Sequence, residues 1–152
     1  MPGTGARTNE WTLWVVAVSC GLHATEELLT GWQDWARDAL GIVMPTSVFV
    51  VMNAVLVVAA LVLAGQGWRR PTLSLVIPMA TLVNAVCFHI LPTLIQRHLA
   101  PGLYTAVILY LPFSSWALIG AGRDGVPRRS IAVAMVAGTV MALGIVSAAR
   151  LL

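Results

Sequence analysis

Residues 46–64 read TSVFVVMNAVLVVAALVLA, an apolar run without a charged residue. An α-helix of this length covers about 28 Å, which is close to the thickness of the hydrocarbon core of a bilayer. A helix is also one of the few structures that satisfies every backbone polar group without water. The run therefore predicts a transmembrane helix.

Four further apolar stretches of comparable length lie before and after this run. Each has about the 20 residues that a helix needs to cross a bilayer, and glycine and proline punctuate the breaks between them. The five predicted segments are residues 11–31, 46–64, 72–96, 102–121 and 130–151. The sequence therefore predicts an all-α fold, a polytopic membrane helix bundle of about five transmembrane helices that forms a single integral membrane domain over residues 1–152.

The composition supports a membrane protein over a soluble one. Of the 152 residues, 59% are hydrophobic and 10% are charged, whereas a soluble domain has about a quarter of its residues charged. The net charge of +3 comes from arginines scattered singly or in pairs between apolar runs, which is no basic patch for nucleic acid. We expect the bilayer and a lipid-soluble small molecule as partners and no nucleic acid; the oligomeric state stays open.

The arginines also predict the orientation of the chain in the membrane. Cytoplasmic loops carry an excess of arginine and lysine. The side of the amino terminus has six arginines: Arg7, Arg69, Arg70, Arg123, Arg128 and Arg129. The other side has three: Arg37, Arg97 and Arg150. We therefore expect the amino terminus in the cytoplasm.

The first segment carries a polar cluster that membrane helices rarely contain. Residues 23–27 read HATEE, and an acidic residue near the centre of a membrane helix costs about 2.5–3.5 kcal/mol. On a helix, Glu26 and Glu27 follow His23 by three and four residues, so either carboxylate can approach the imidazole. Because adjacent residues point about 100° apart, we expect one glutamate to enter a cavity and the other to brace a neighbouring group.

Further polar residues fall at the same predicted depth. At about 1.5 Å per residue, Glu26 lies about 22 Å along the first segment and His89 about 25 Å along the third, which runs in the same direction. The predicted catalytic residues are His23, Glu26, Glu27 and His89. The predicted substrate-binding residues are Asn53, Asn84, Tyr104 and Thr105.

Two chemistries fit these residue types. In the first, a buried glutamate donates or relays a proton and a histidine takes the complementary role. In the second, His23, His89 and a glutamate, taken as Glu27, bind one divalent metal ion, either zinc or iron, as a two-histidine, one-carboxylate set. The sequence leaves the choice between the two open.

Three stretches of the chain resemble a known family. Residues 23–27 resemble the signature of the HXXEE family of small bacterial membrane proteins. Residues 84–89, NAVCFH, look like its second motif, an asparagine followed by a histidine. The Pro101–Gly102 turn leading to Thr105 looks like its third. The resemblance covers roughly residues 11–115 and implies an enzyme of the bacterial inner membrane, without specifying a reaction.

Together these features favour an integral membrane enzyme that acts on an isoprenoid- or lipid-like substrate. The reaction classes that suit the site are isomerisation, cyclisation and hydrolysis. The alternatives are a protein that binds or transports protons or metal ions and a purely structural membrane bundle. A conduit would need polar residues in both halves of the membrane, whereas the half nearer the amino terminus is rich in valine, alanine and leucine.

Overall fold

The computed structural model describes residues 7–149, and over this range the chain is helical without a β-strand. The helices are α1 (Trp11–Leu29), α2 (Trp32–Leu40), α3 (Thr46–Gln66), α4 (Pro71–Gln96), α5 (Leu103–Arg123) and α6 (Arg128–Ala149). The prediction of an all-α bundle is confirmed. Arg150 and Leu151 are the last two residues of the predicted segment 130–151, and they lie outside the described residues.

Within residues 7–149, four helices are long and apolar enough to span a membrane: α3, α4, α5 and α6. The sequence predicted about five transmembrane helices, so the described residues contain one fewer than predicted. The difference is α1, which is long enough at 19 residues, but whose mean hydropathy is lowered by His23, Glu26 and Glu27. The outward faces of the bundle are apolar, as lipid contact requires, and α3 exposes a row of valines that includes Val51 and Val58.

The short helix α2 occupies a stretch for which the sequence analysis predicted no element. It turns Ala36 inward and leaves Asp34 and Asp38 exposed. Gly31 and Gly41 flank it with φ angles of 81° and 68°, a left-handed conformation that glycine adopts without a steric penalty. These two glycines therefore separate α2 from α1 and from the chain leading to α3.

Small residues bring α6 close to α4. Ala134, Gly138 and Ala142 recur at every fourth position of α6 and are buried. A Cβ atom on Gly138 would lie 2.6 Å from the Cβ atom of Met79 and 2.6 Å from the carbonyl oxygen of Val76. The two backbones are therefore in contact, as is common where small residues line an interface between membrane helices.

Two π-helical stretches interrupt the α-helical geometry. They are Ala85–Ile90 in α4 and Ala106–Ser114 in α5. Pro112 lies within the second stretch and Pro92 just after the first, and a proline removes one backbone N–H from the helical hydrogen-bond pattern. His89 lies in the first stretch and Tyr110 in the second, and both side chains are buried. The π geometry thus changes which side chains α4 and α5 direct inward.

A carboxyl group ties three loops together at the amino-terminal end of the bundle. Asp124 accepts hydrogen bonds from the Nε1 atom of Trp68 (2.9 Å), from the backbone and side-chain nitrogens of Asn9 (2.8 and 2.7 Å) and from the hydroxyl of Thr8 (2.9 Å). Partial burial favours the neutral acid, but these hydrogen bonds, that of Trp68 first, outweigh it and hold the pKa of Asp124 below its ordinary value.

Because α4 and α6 are in close contact at Gly138, a methyl group added at this position should destabilise the protein. Gly138→Ala should lower the free energy of unfolding by about 1–3 kcal/mol, because the backbone of α4 cannot yield as a flexible side chain would. Gly144→Ala is the matched control, since nothing lies within 4 Å of a Cβ atom at Gly144 in the same helix. Equal stability of the two variants in a detergent unfolding assay would contradict this packing.

The hydrogen bonds of Asp124 predict a pH-dependent contribution to stability. The depressed pKa means that the carboxylate stabilises the fold above its ordinary pKa of 3.8, and that this contribution is lost as the pH falls through the folded-state value. Asp124→Asn should therefore lower the melting temperature most at about pH 6, and the gap to the wild type should narrow below about pH 4. Asp38→Asn serves as the exposed control, and a gap independent of pH would refute the assignment.

Candidate functional site

Two helices bring three buried side chains to one point. His23 and Glu27 lie one turn apart on α1, and His89 reaches them from α4. The Nε2 atoms of His23 and His89 lie 3.4 and 3.5 Å from the same oxygen, Oε1 of Glu27. All three are buried: His23 is 3% exposed, Glu27 is 6% exposed and His89 is 0% exposed. They form a His–Glu–His cluster in which one atom of each residue lies within 4.8 Å of the others.

Several ring nitrogens of this cluster have no hydrogen bond. Among the described residues, Nε2 of His23 and both ring nitrogens of His89 are buried without a hydrogen-bond partner. The two rings pack edge to face with centroids 4.7 Å apart, and the ring of Tyr110 lies 4.4 Å from that of His23. Buried polar atoms are almost always hydrogen-bonded, so these nitrogens make the cluster a candidate for a functional site.

A threonine of α5 contacts the ring of His23. Thr105 Oγ1 lies 2.8 Å from Nδ1 of His23 and 3.3 Å from the carbonyl oxygen of Gly102. When the hydroxyl donates its proton to Gly102, it accepts the Nδ1 proton of His23, and Nε2 then presents its lone pair to Glu27.

The second glutamate has a different role in the structure. The two carboxylate oxygens of Glu26 accept hydrogen bonds from the backbone N–H groups of Tyr104 (3.1 Å) and Thr105 (2.8 Å). These residues are in the first turn of α5, where free N–H groups and the helix dipole favour a negative charge. Glu26 thus anchors the start of α5 beside the cluster.

The Pro101–Gly102 turn closes one side of the cluster. A Cβ atom on Gly102 would lie 2.8 Å from Cε1 of His23, 2.9 Å from Cγ of Glu27 and 2.9 Å from Cε1 of His89. The φ angle of Gly102 is 85°, which also favours glycine. Backbone space and backbone conformation therefore both require a glycine here.

An apolar cavity of about 160 Å³ borders the cluster on another side. His23 and Glu27 line it, whereas His89 is not among its lining residues. The amides of Asn53 and Asn84 are further polar groups in the wall. Most of the remaining wall is apolar and includes Trp32, Ile42, Met44, Phe49, Met52 and Ile145. The cavity therefore lies between α2, α3, α4 and α6, with the cluster at its edge.

The structure separates the predicted site residues. Of the four predicted catalytic residues, it brings His23, Glu27 and His89 together, while the carboxylate of Glu26 binds the first turn of α5. The predicted substrate-binding residues Asn53 and Asn84 line the cavity, while Thr105 contacts His23 instead.

Tyr104 differs most from its predicted role. Tyr104 is 60% exposed and does not line the cavity. Its contact with the site is made by its backbone N–H group, which donates a hydrogen bond to the carboxylate of Glu26. Neither Gly102 nor Tyr110 was among the predicted site residues. A glycine after a proline at the depth of the cluster was the available signal for Gly102, whereas the π-helical setting of Tyr110 has no sequence signal that we can identify.

These features define a helical membrane protein with a buried His–Glu–His cluster beside an apolar cavity. The chain belongs to the HXXEE family, described as proteins of unknown function with an HXXEE motif, whose pattern matches residues 14–117. The motif corresponds to His23, Glu26 and Glu27. Searches of curated proteins and of solved structures found no match.

The tight contact at Gly102 predicts a steric effect on the cluster. Gly102→Ala and Gly125→Ala should each lose about 1–2 kcal/mol of stability, because both glycines have a positive φ angle. Gly102→Ala should lose about 1–3 kcal/mol more, since the added carbon meets three buried side chains while nothing lies within 4 Å at Gly125. Comparable melting temperatures for the two variants would contradict the close approach of the turn.

Proposed function

We propose that this protein is an integral membrane enzyme that acts on a lipid-soluble, isoprenoid- or lipid-like substrate by isomerisation, cyclisation or hydrolysis. The observation that carries the proposal is the position of the His–Glu–His cluster at the edge of an apolar cavity inside a bundle of membrane helices. Ionisable residues are costly in this setting and are retained where they perform a function.

The cavity supports an apolar substrate of limited size at the reacting end. A cavity of about 150 Å³ accommodates a group the size of benzene, so 160 Å³ suits an apolar group of roughly that size. The amide oxygen of Asn84 is buried without a partner among the described residues and offers an acceptor for a hydroxyl group of the substrate.

The residues take distinct roles in this proposal. His23 and Glu27 face the cavity and exchange protons with the substrate or activate water, and His89 supports them from behind. Glu26 and Thr105 are positioning residues, since they act on the start of α5 and on the His23 ring. Asn53 is held by a hydrogen bond from its Nδ2 atom to the carbonyl oxygen of Phe49 (3.0 Å), which leaves its amide oxygen for the cavity.

The proposal includes a topology for the chain. α1 crosses the membrane as a fifth helix, because it packs between α3 and α5 and its carboxyl groups are buried or hydrogen-bonded within the protein. The excess of arginine at the amino-terminal end supports a cytoplasmic amino terminus, and the resemblance to small bacterial membrane proteins supports the bacterial inner membrane as the location. The cluster then lies in the half of the bilayer away from the cytoplasm.

The enzyme proposal predicts a change in membrane lipids that depends on one carboxyl group. Membranes that contain the wild-type protein should convert a lipid-soluble substrate, and Glu27→Gln should lower the rate about 10²–10⁴-fold, because the amide neither donates nor accepts the proton at neutral pH. The measurement is mass spectrometry of extracted lipids from otherwise identical cells.

Asp38→Asn is the matched carboxyl-to-amide control, since Asp38 is exposed on α2, and it should behave as the wild type. Identical lipid profiles for the wild type and Glu27→Gln would overturn the enzyme proposal. Dissipation of a proton or metal-ion gradient by the wild type in vesicles, lost in Glu27→Gln, would point to transport instead.

A further inference from the structure

The geometry points to a metal site: we propose that Nε2 of His23, Oε1 of Glu27 and Nε2 of His89 bind one divalent transition-metal ion, with Zn²⁺ as the ion that fits best. This inference deepens the proposed function, because it rests on the same cluster and selects the metal-assisted chemistry. Its test by metal binding does not depend on any activity.

The distances in the cluster are longer than those of ordinary charge-assisted hydrogen bonds and suit a shared metal ion. A hydrogen bond between an imidazolium and a carboxylate is about 2.7–2.9 Å long, whereas the observed separations are 3.4 and 3.5 Å. Zinc binds histidine nitrogen at about 2.0–2.1 Å and carboxylate oxygen at about 2.0–2.2 Å, so tetrahedral bonds put two ligand atoms about 3.3–3.5 Å apart. Both separations agree with that value.

The types of ligand in the cluster also suit zinc. Two histidines and one carboxylate form a known set for a catalytic zinc ion, with the fourth position left open. His23 and Glu27 line the cavity, so an ion held by the cluster would be reached from there.

A hydrogen bond to Thr105 suits His23 to bind a metal. A metal ion needs the unprotonated ring nitrogen, and the other ring nitrogen of a ligating histidine almost always donates a hydrogen bond. In the metal-bound form, Nδ1 of His23 donates to Thr105 and the lone pair of Nε2 faces Glu27. A lone pair that faces a carboxylate repels it, and a cation between them removes the repulsion.

The chemistry supplied by such an ion narrows the reaction. A zinc ion with an open position polarises a substrate oxygen or lowers the pKa of bound water to about 7. Among the three proposed reaction classes, hydrolysis and rearrangements that begin at a substrate oxygen therefore suit the site better than proton transfer to a plain hydrocarbon.

The direct test is zinc binding by the full-length protein purified in detergent. After chelation, the wild type should take up one equivalent of Zn²⁺ alone, measured by elemental mass spectrometry and by competition with a chromophoric chelator. Glu27→Gln and His89→Gln should each bind at least 100-fold more weakly, while Asp38→Asn should bind as the wild type. Zinc binding of equal strength in Glu27→Gln and the wild type, or less than about 0.1 equivalent in the wild type, would overturn the proposal.

A second pair of variants separates metal binding from a folding defect. Thr105→Val removes the acceptor for His23 and should weaken zinc binding about 10–100-fold, and Thr105→Ser should restore it. Thermal melts of the zinc-free proteins check that the variants are folded. Zinc affinity that is the same in Thr105→Val and Thr105→Ser would contradict the role of Thr105 in orienting a ligand.

The outcomes distinguish this inference from the proposed function. Wild-type protein that binds less than about 0.1 equivalent of zinc and still changes membrane lipids would overturn the metal site and leave the enzyme proposal standing. One equivalent of bound zinc together with unchanged lipids would overturn the enzyme proposal and leave the metal site standing.

Discussion

The carboxyl group of Glu27 has to be compensated inside an apolar bundle, and much of the site depends on how this is done. An acidic side chain buried within a membrane bundle is costly unless another group pairs with it. In this protein the groups that face the carboxylate are two imidazoles, His23 from the same helix and His89 from α4. A neutral imidazole pairs with a carboxylate through a proton or a cation, so the cluster requires one or the other.

The start of α5 completes the arrangement from a third direction. Glu26 holds the backbone of the first turn of α5, Thr105 orients His23, and Gly102 contacts every member of the cluster. The three stretches that resemble family motifs, residues 23–27, 84–89 and 101–105, therefore meet at one place. Each supplies a different part of it: the carboxylates and one imidazole, the second imidazole, and the turn that packs against them.

A large part of the fold could be predicted from segment length and hydropathy, because a bilayer imposes both. Four of the five predicted segments correspond to helices that can span a membrane, and comparison of depths put His89 level with Glu26. The short helix α2 was not predicted, since its polar face resembles that of a loop. Trp32, on the inward side of α2, lines the cavity beside α3, and this contact exists only in the folded bundle.

The details of the site depend on angles that the sequence does not contain. Adjacent glutamates point about 100° apart, so the sequence predicts two roles without assigning Glu26 and Glu27 to them. The side chain of Tyr104 points outward because the first turn of α5 is fixed by Glu26, and the π-helical stretches change which faces of α4 and α5 are buried.

The most direct test of the central claim is a double-mutant cycle between Glu27→Gln and His89→Gln, with the free energy of unfolding measured in detergent for both single variants and the double variant. If the carboxyl group is compensated by an imidazole from α4, the two substitutions should be coupled by about 1–3 kcal/mol. Additivity within about 0.5 kcal/mol would show that the residues do not share a site, and would contradict the account.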